Sequence, residues 1–242
     1  MHKVLKLRTN LCTFFSIQLL KFYIFFIKEF IFSFAFFRKL ILYKIKRYSK
    51  LSAFERLKLN AESIFVDLGG NNGVVSQYIS DKFNCNIHIY EPHKGCFKIL
   101  KKKFNNNKKI KLYNSAISNN NNYKKFYFHS MVKDNNFYDL SLSESASLES
   151  KKINISRKKF KIVKCTSINN VFKKFKHIDV LKVDIEGHEY KILPTIYKNI
   201  KKVDYVFIEF HGSSHHQNFK KNYNYWKKKI NKSLYKKKFI NW

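Results

Sequence analysis

"SIFVDLGGNNGVVSQYISDKFNCNIHIYE", residues 63–91, switches its hydrophobic period twice. Residues 63–68 form a short apolar, β-branched run, the pattern of a buried strand. Gly69, Gly70 and Gly73 break that run, and residues 74–83 then place apolar side chains at helical spacing. Residues 86–91 return to a strand pattern and finish on an acid, Glu91. Strand, glycine turn, helix and strand make a βαβ unit, with parallel strands and a right-handed crossover.

The rhythm continues along the chain. Residues 93–104 read as a helix and 109–117 as a strand; 178–184 and 202–210 read as strands flanking a helical 188–200. The expected fold is α/β, a doubly wound, Rossmann-like parallel sheet with helices on both faces. Such sheets bind ligands beyond the carboxyl ends of their strands. Asp67, Glu91, Asp184 and Glu209 each close a strand. With 16 Asp and Glu against 49 Lys and Arg in the chain, four acids delivered to one sheet edge point to a site.

The glycine turn narrows the ligand. Asp67, Gly69 and Gly73 give DxGxxxG, and Glu91 closes the next strand, where an acid binds ribose hydroxyls. Both NAD and S-adenosylmethionine fit an adenosine site of this kind. A dinucleotide site wants GxGxxG so that a helix N-terminus can hold the pyrophosphate, whereas Asn71 stands at the second glycine position. Asp67 would repel a pyrophosphate but suits a cationic amino-acid group. The charge argument favours S-adenosylmethionine.

At this point the chain resembles the FkbM-type methyltransferases. The resemblance rests on residues 65–76, 89–100, 114–118, 145–150 and, most specifically, "IDVLKVDIEGHEYKIL" at 178–193, and it covers roughly 60 to 212. It implies a Rossmann-like methyltransferase sheet and O-methylation of hydroxyls on sugars, glycans or other biosynthetic products, with S-adenosylmethionine as donor. Carried onto this sequence, it implies that Asp67, Gly69, Asn71, Asn72 and Gly73 surround the methionine part of the cofactor. Glu91 would hold the ribose, and Asn114 to Ala116 would border the adenine. Methyltransferases of this fold add a helix and a two-stranded hairpin after the strand ending near Glu209. Here the tail has room for one basic helix and one short strand, so a truncated sheet edge is expected.

In-line methyl transfer needs a group that orients the acceptor hydroxyl and takes its proton. Lys182, Asp184 and Glu186 share strand parity, so their side chains would point one way. Asp184 is the first candidate for that role, Glu186 the second and His211 a third. Lys182 stands as either a catalytic group or half of a structural ion pair. Gly187 suits the turn into the next helix, Glu189 the cap of that helix, and Asp179, at the opposite strand end, a structural role. No metal site is expected: His211, His215 and His216 lie in a polar stretch that reads as solvated, and Ile192 stands where an HExxH motif would need its second His.

Composition bounds the rest. The formal charge of +33 invites a basic nucleic-acid-binding protein, or an RNA methyltransferase, as the alternative function. The lysines are spread along the chain without forming one arm, aromatic–basic RNA motifs are missing, and nucleic acid is not the expected partner. Four scattered cysteines, with no CxxC pair, suit a reducing compartment. The domains expected are an N-terminal apolar and basic helical extension (1–50), the methyltransferase domain (51–212) and a basic tail completing or capping it (213–242). Within the extension, Lys21, Lys28, Lys39 and Lys46 fall on one side of a helix. Charges interrupt its apolar run before it reaches a membrane-spanning length. Residues 11–47 therefore read as an interfacial anchor on an anionic membrane, or as a helix packed on the domain or a partner. No small-residue cleavage site follows. A cytoplasmic protein, peripheral at the membrane, is the expectation.

Overall fold

The computed structural model describes residues 51–211 and 217–241, and the chain divides into two units, Met1–Glu55 and Arg56–Trp242. The lysine-striped stretch 11–47 lies outside the described residues. Among the described residues, no helix is long and apolar enough to cross a membrane.

The opening βαβ unit forms where the periodicity puts it. Strand β1 (Ile64–Leu68) leads through the glycine turn into helix α1 (Val74–Phe83), and β2 (Asn86–Tyr90) follows. Helix α2 (Lys94–Phe104) buries Cys96, Leu100 and Phe104, and the side chain of His93 caps it by accepting the Cys96 N–H. Strand β3 (Ile110–Tyr113) then pairs parallel to β2.

The expected strand at 109–117 divides in two. After Tyr113 the chain leaves the sheet, and β4 (Ala116–Ser118) joins a second, three-stranded sheet. Asn114 fixes the break by donating its amide to the Glu91 carbonyl at 2.8 Å. Ser115 shares a 2.8 Å hydroxyl contact with Thr166. This second sheet, in the order β4-β6-β5, also contains β5 (Tyr123–His129) and β6 (Ile155–Ser167), which pair antiparallel. Neither strand shows a clean apolar alternation in sequence, because basic residues stand at adjacent positions, 124–125 and 157–159.

The chain returns to the main sheet through helix α3 (Ile168–Lys174), capped by Ser167, into β7 (Ile178–Val183). Helix α4 (Glu189–Lys198) and β8 (Val203–Ile208) follow. The tail supplies helix α5 (Gln217–Asn231), with Trp226 and Ile230 buried, and one short edge strand, β9 (Phe239–Asn241). The main sheet runs β3-β2-β1-β7-β8-β9, parallel throughout. A continuous core packs strand residues such as Val66, Leu68, Leu181 and Val206 against Ile168, Phe172, Ile192, Leu193 and Trp226 of the helices. Cys85, Cys96 and Cys165 are buried free thiols.

Strand order reverses between β1 and β7, the first half of the sheet winding one way from that line and the second half the other. A crevice opens at such a switch point, at the carboxyl ends of the strands.

Candidate active site

Register decides what stands in that crevice. Leu68 pairs with Tyr90 on one side and Val183 on the other, Tyr90 pairs with Tyr113, and Val183 pairs with Ile208. The next residues along these strands are Gly69, Glu91, Asn114, Asp184 and Glu209, which therefore form one row. The row answers why so basic a chain gathers carboxylates at strand ends.

Gly69 sits at φ +85° and Gly73 at +76°, conformations that cost an L-residue about 1–2 kcal/mol. Their surroundings are as restrictive as their dihedrals. A Cβ on Gly69 would lie 1.8 Å from the carbonyl oxygen of Asp184, and one on Gly73 would meet Leu100 and Phe104 at 2.6 and 2.9 Å. The close approach these glycines permit is thus to the chain itself, and it brings the β1 turn onto the end of β7. Asn71 takes φ +46° without being glycine. Its N–H donates to Glu91 Oε2 at 2.7 Å, and its side-chain oxygen receives Cys96 Sγ and Ser143 Oγ. The Asn72 carbonyl accepts Lys103 Nζ at 2.7 Å. Helix α1 starts at Gly73 with no side-chain cap, so its first N–H groups are available to an anionic group.

Asp67 is sealed beneath the turn. One oxygen accepts Lys182 Nζ at 2.9 Å, the other accepts Ser76 Oγ at 2.6 Å, and the side chain is 1% exposed. Lys182, across the β1–β7 ladder, also donates to the Gly69 carbonyl at 2.9 Å and lies 3.8 Å from Asp184. Of the two roles open to Lys182, the geometry supports the structural one: its ammonium is a buried strut beneath the crevice. Glu91 accepts the N–H groups of Asn71 and His93, each at 2.7 Å, yet burial raises its carboxyl to about 7. Asn114 is committed to the end of β2. Ala116 faces away from the row, into the core of the second sheet with Phe126, Phe128 and Cys165, so only its backbone is available to a ligand.

Around Asp184 the acids take different roles. Asp184 is 20% exposed. Burial, reinforced by the charges of Glu209 and Glu186, raises it to about 7 against the pull of Lys182. Glu186 adopts φ +58°, held there by Ser147 Oγ donating to its carbonyl at 2.7 Å. Its carboxylate pairs with Lys152 Nζ at 2.5 Å and His211 Nε2 at 3.3 Å. Burial opposes its ionisation, but His211 and Lys152 hold it down to about 2. Glu189 is fully buried. Its Oε1 accepts the N–H groups of Ile185 and Gly187 at 3.1 Å each, closing the turn before α4, and it also meets His211 Nδ1 at 2.9 Å. Glu189 therefore does more than cap a helix.

His211, the third candidate base, is held between two acids, Glu186 and Glu189. Burial alone would lower its pKa, but hydrogen bonds to Glu186 and Glu189 raise it to about 11. Near neutrality it already carries its proton. Asp184 combines partial exposure with a carboxyl that titrates near neutral pH, as a general base requires.

Sequence reasoning missed the segment that braces this edge. Residues 139–152 reach the glycine turn through Ser143, the Glu186 backbone through Ser147 and the Glu186 carboxylate through Lys152. Glu149 binds His188 Nδ1 at 2.6 Å, and Ser118 Oγ lies 3.2 Å from His188 Nε2. Ser118 is fully buried, so this Ser–His–Glu series braces the turn and is closed to substrate. The signal in sequence was the stretch at 145–150; its partners, 34 to 39 residues away, were not readable.

A family model described as the methyltransferase FkbM domain matches residues 67–232. No curated protein matches the chain significantly.

Proposed function

Because the chain belongs to the FkbM methyltransferase family, we propose that it methylates a hydroxyl of a sugar, glycan or related biosynthetic product with S-adenosylmethionine as donor. The observation that carries this reading is the row of strand ends, which puts the glycine turn, Glu91 and Asp184 at one switch point. The donor set suits the cofactor: Asp67, Glu91, Asp184, Glu186 and Glu189 outweigh the neighbouring Lys152, Lys182 and His211, matching a cationic ligand. When bound, the cofactor supplies a methyl group on a sulfonium, whose carbon–sulfur bond pair leaves with the sulfur.

Each part of the edge then has work to do. Glu91 accepts the ribose hydroxyls, the turn from Gly69 to Gly73 receives the amino-acid part, and the uncapped start of α1 takes its carboxylate. Asn114 and the backbone at Ser115–Ala116 border the adenine. Asp67 acts from below by fixing the turn through Ser76 and Lys182. Asp184 orients the acceptor hydroxyl and takes its proton as the oxygen attacks the methyl carbon. The partly exposed Asp184 and Glu186 suit an acceptor rich in hydroxyls. The spacing of Lys21, Lys28, Lys39 and Lys46 in the sequence supports a place at an anionic membrane surface.

The test pairs calorimetry with S-adenosylhomocysteine and single-turnover methyl transfer to a panel of cell glycans. Asp184→Asn keeps shape while removing basicity, and it lowers turnover about 100-fold or more with cofactor affinity near the parent's. Parental turnover in this variant overturns the assignment of Asp184.

A further inference from the structure

Three side chains from separate elements converge beside the acceptor end of the crevice. Asp184 follows β7, Glu189 lies in the first turn of α4, and His211 follows β8. One ligand-type atom from each lies within 4.8 Å of the other two. Glu189 contributes an unusual group. Its Oε1 is satisfied three times, while Oε2 is buried with no hydrogen-bond partner and the residue is 0% exposed. A carboxyl oxygen left so in a protein interior is unfavourable, and a bound ion is one of the few things that accounts for it.

We propose that Asp184, Glu189 and His211 form a binding site for one divalent first-row cation, manganese(II) in type. Oxygen and nitrogen ligands about 2.1 Å from one ion lie roughly 3–4 Å apart, and His211 Nδ1 already sits 2.9 Å from Oε1 of the Glu189 carboxyl whose Oε2 is unpartnered. The other ring nitrogen is arranged as in metal-bound histidines, which direct it to a carboxylate. Here His211 Nε2 meets Glu186, and Glu186 in turn meets Lys152. Binding through Nδ1 replaces its hydrogen bond to Glu189 Oε1 and releases that proton to solvent. Mixed imidazole and carboxylate donors suit manganese, iron and zinc better than calcium.

Burial of the ligands shows where the site opens. Glu189 is sealed and His211 is buried, but the Asp184 side chain is 20% exposed. Open coordination positions thus face the crevice, as in catalytic rather than structural sites. The other cluster with suitable atoms among the described residues, His177, Asp179 and Asp204, differs on each count. His177 and Asp204 are about half exposed, and Asp179 is spent on the Ile64 N–H at 2.7 Å.

The cation's task rests on the methyl-transfer reading. Bound to the acceptor oxygen, it lowers the pKa of that hydroxyl, so that the proton passes to the Asp184 oxygen facing the crevice. The oxygen then forms its bond to the methyl carbon, and the carbon–sulfur pair leaves with sulfur. No oxidant or reductant enters.

The experiment titrates manganese(II) into the chelator-treated full chain without cofactor or acceptor, following free ion by electron paramagnetic resonance. One equivalent binds, and Asp184→Asn and His211→Gln each weaken it about tenfold or more. Asp184→Asn, at the exposed ligand, keeps the measurement valid if the buried variant fails to fold; a thermal melt reports folding for both. No stoichiometric binding, or equal affinity in folded Asp184→Asn, overturns the site. A parallel titration with S-adenosylhomocysteine reports on the methyl-transfer reading alone. Cation binding without it upholds the site and overturns the assigned task, while its binding without the cation overturns the site.

Discussion

Removing the Lys182 ammonium tests the architecture of the crevice most directly. Lys182→Met keeps the side-chain length and strands the Asp67 carboxylate, which is 1% exposed and retains only Ser76 as a side-chain partner. The Gly69 carbonyl loses a 2.9 Å donor as well. Breaking a buried pair from one side costs about 3–5 kcal/mol, because the remaining charge is uncompensated. At roughly 2–4 °C per kcal/mol for a unit of this size, the melting temperature falls by about 6–20 °C. Asp67→Asn costs less, since Lys182 keeps the Gly69 carbonyl and Asp184. The double variant removes both charges and recovers much of the loss, so the cycle gives a coupling energy of about 2 kcal/mol or more. The assay is thermal and urea unfolding of the four proteins at one pH. Lys182→Met melting within a few degrees of the parent, or strictly additive losses, refutes the strut.

Three further expectations follow from the same edge. With Asp184 raised to about 7 in the cation-free protein, its basic form is populated above that pH, so the residual single-turnover methyl transfer of chelator-treated protein climbs from pH 6 to 8 and then levels. A flat profile across that range contradicts Asp184 as the base. Burial raises the Glu91 carboxyl from 4.5 to about 7; the folded state therefore favours the protonated acid and loses stability as pH rises from about 4.5 to 7, by at most about 3 kcal/mol. Glu91→Gln weakens S-adenosylhomocysteine binding and removes this loss of stability between pH 4.5 and 7, while its amide, able to accept only one of the two backbone N–H groups, lowers stability at acid pH; calorimetry and melts across pH check both. Gly69→Ala combines a left-handed backbone with a Cβ 1.8 Å from the Asp184 carbonyl. It forces the β1 turn off β7 and abolishes cofactor binding, whereas a variant that binds like the parent shows that the two turns separate freely.

Much of this layout was legible in the chain. Residues 63–91 specified a βαβ unit because strand and helix periods are local properties, each readable over six to ten residues. Asp67, Glu91, Asp184 and Glu209 could be assigned to one edge because parallel strands share a direction, so their carboxyl ends must lie together. The expected strand at 109–117 was only half right. Apolar residues resume at Ala116 and Ile117 directly after Asn114 and Ser115, and nothing local says that β4 pairs with β6 in another sheet.

Only the tertiary structure decided what each acid does. A carboxylate's chemistry depends on the charges within a few ångströms, and those come from distant sequence. Lys182 reaches Asp67 across 115 residues, and Lys152 reaches Glu186 across 34. Asp184 and Glu186 look alike in sequence, yet one is raised toward neutrality by burial and neighbouring acids while the other is held low by Lys152 and His211. His211 read as a base until Glu186 and Glu189 were found on both its nitrogens. Period and strand direction, carried by neighbouring residues, set the sheet and its acidic edge; protonation and partnership, carried by contacts closed only on folding, set the roles within it.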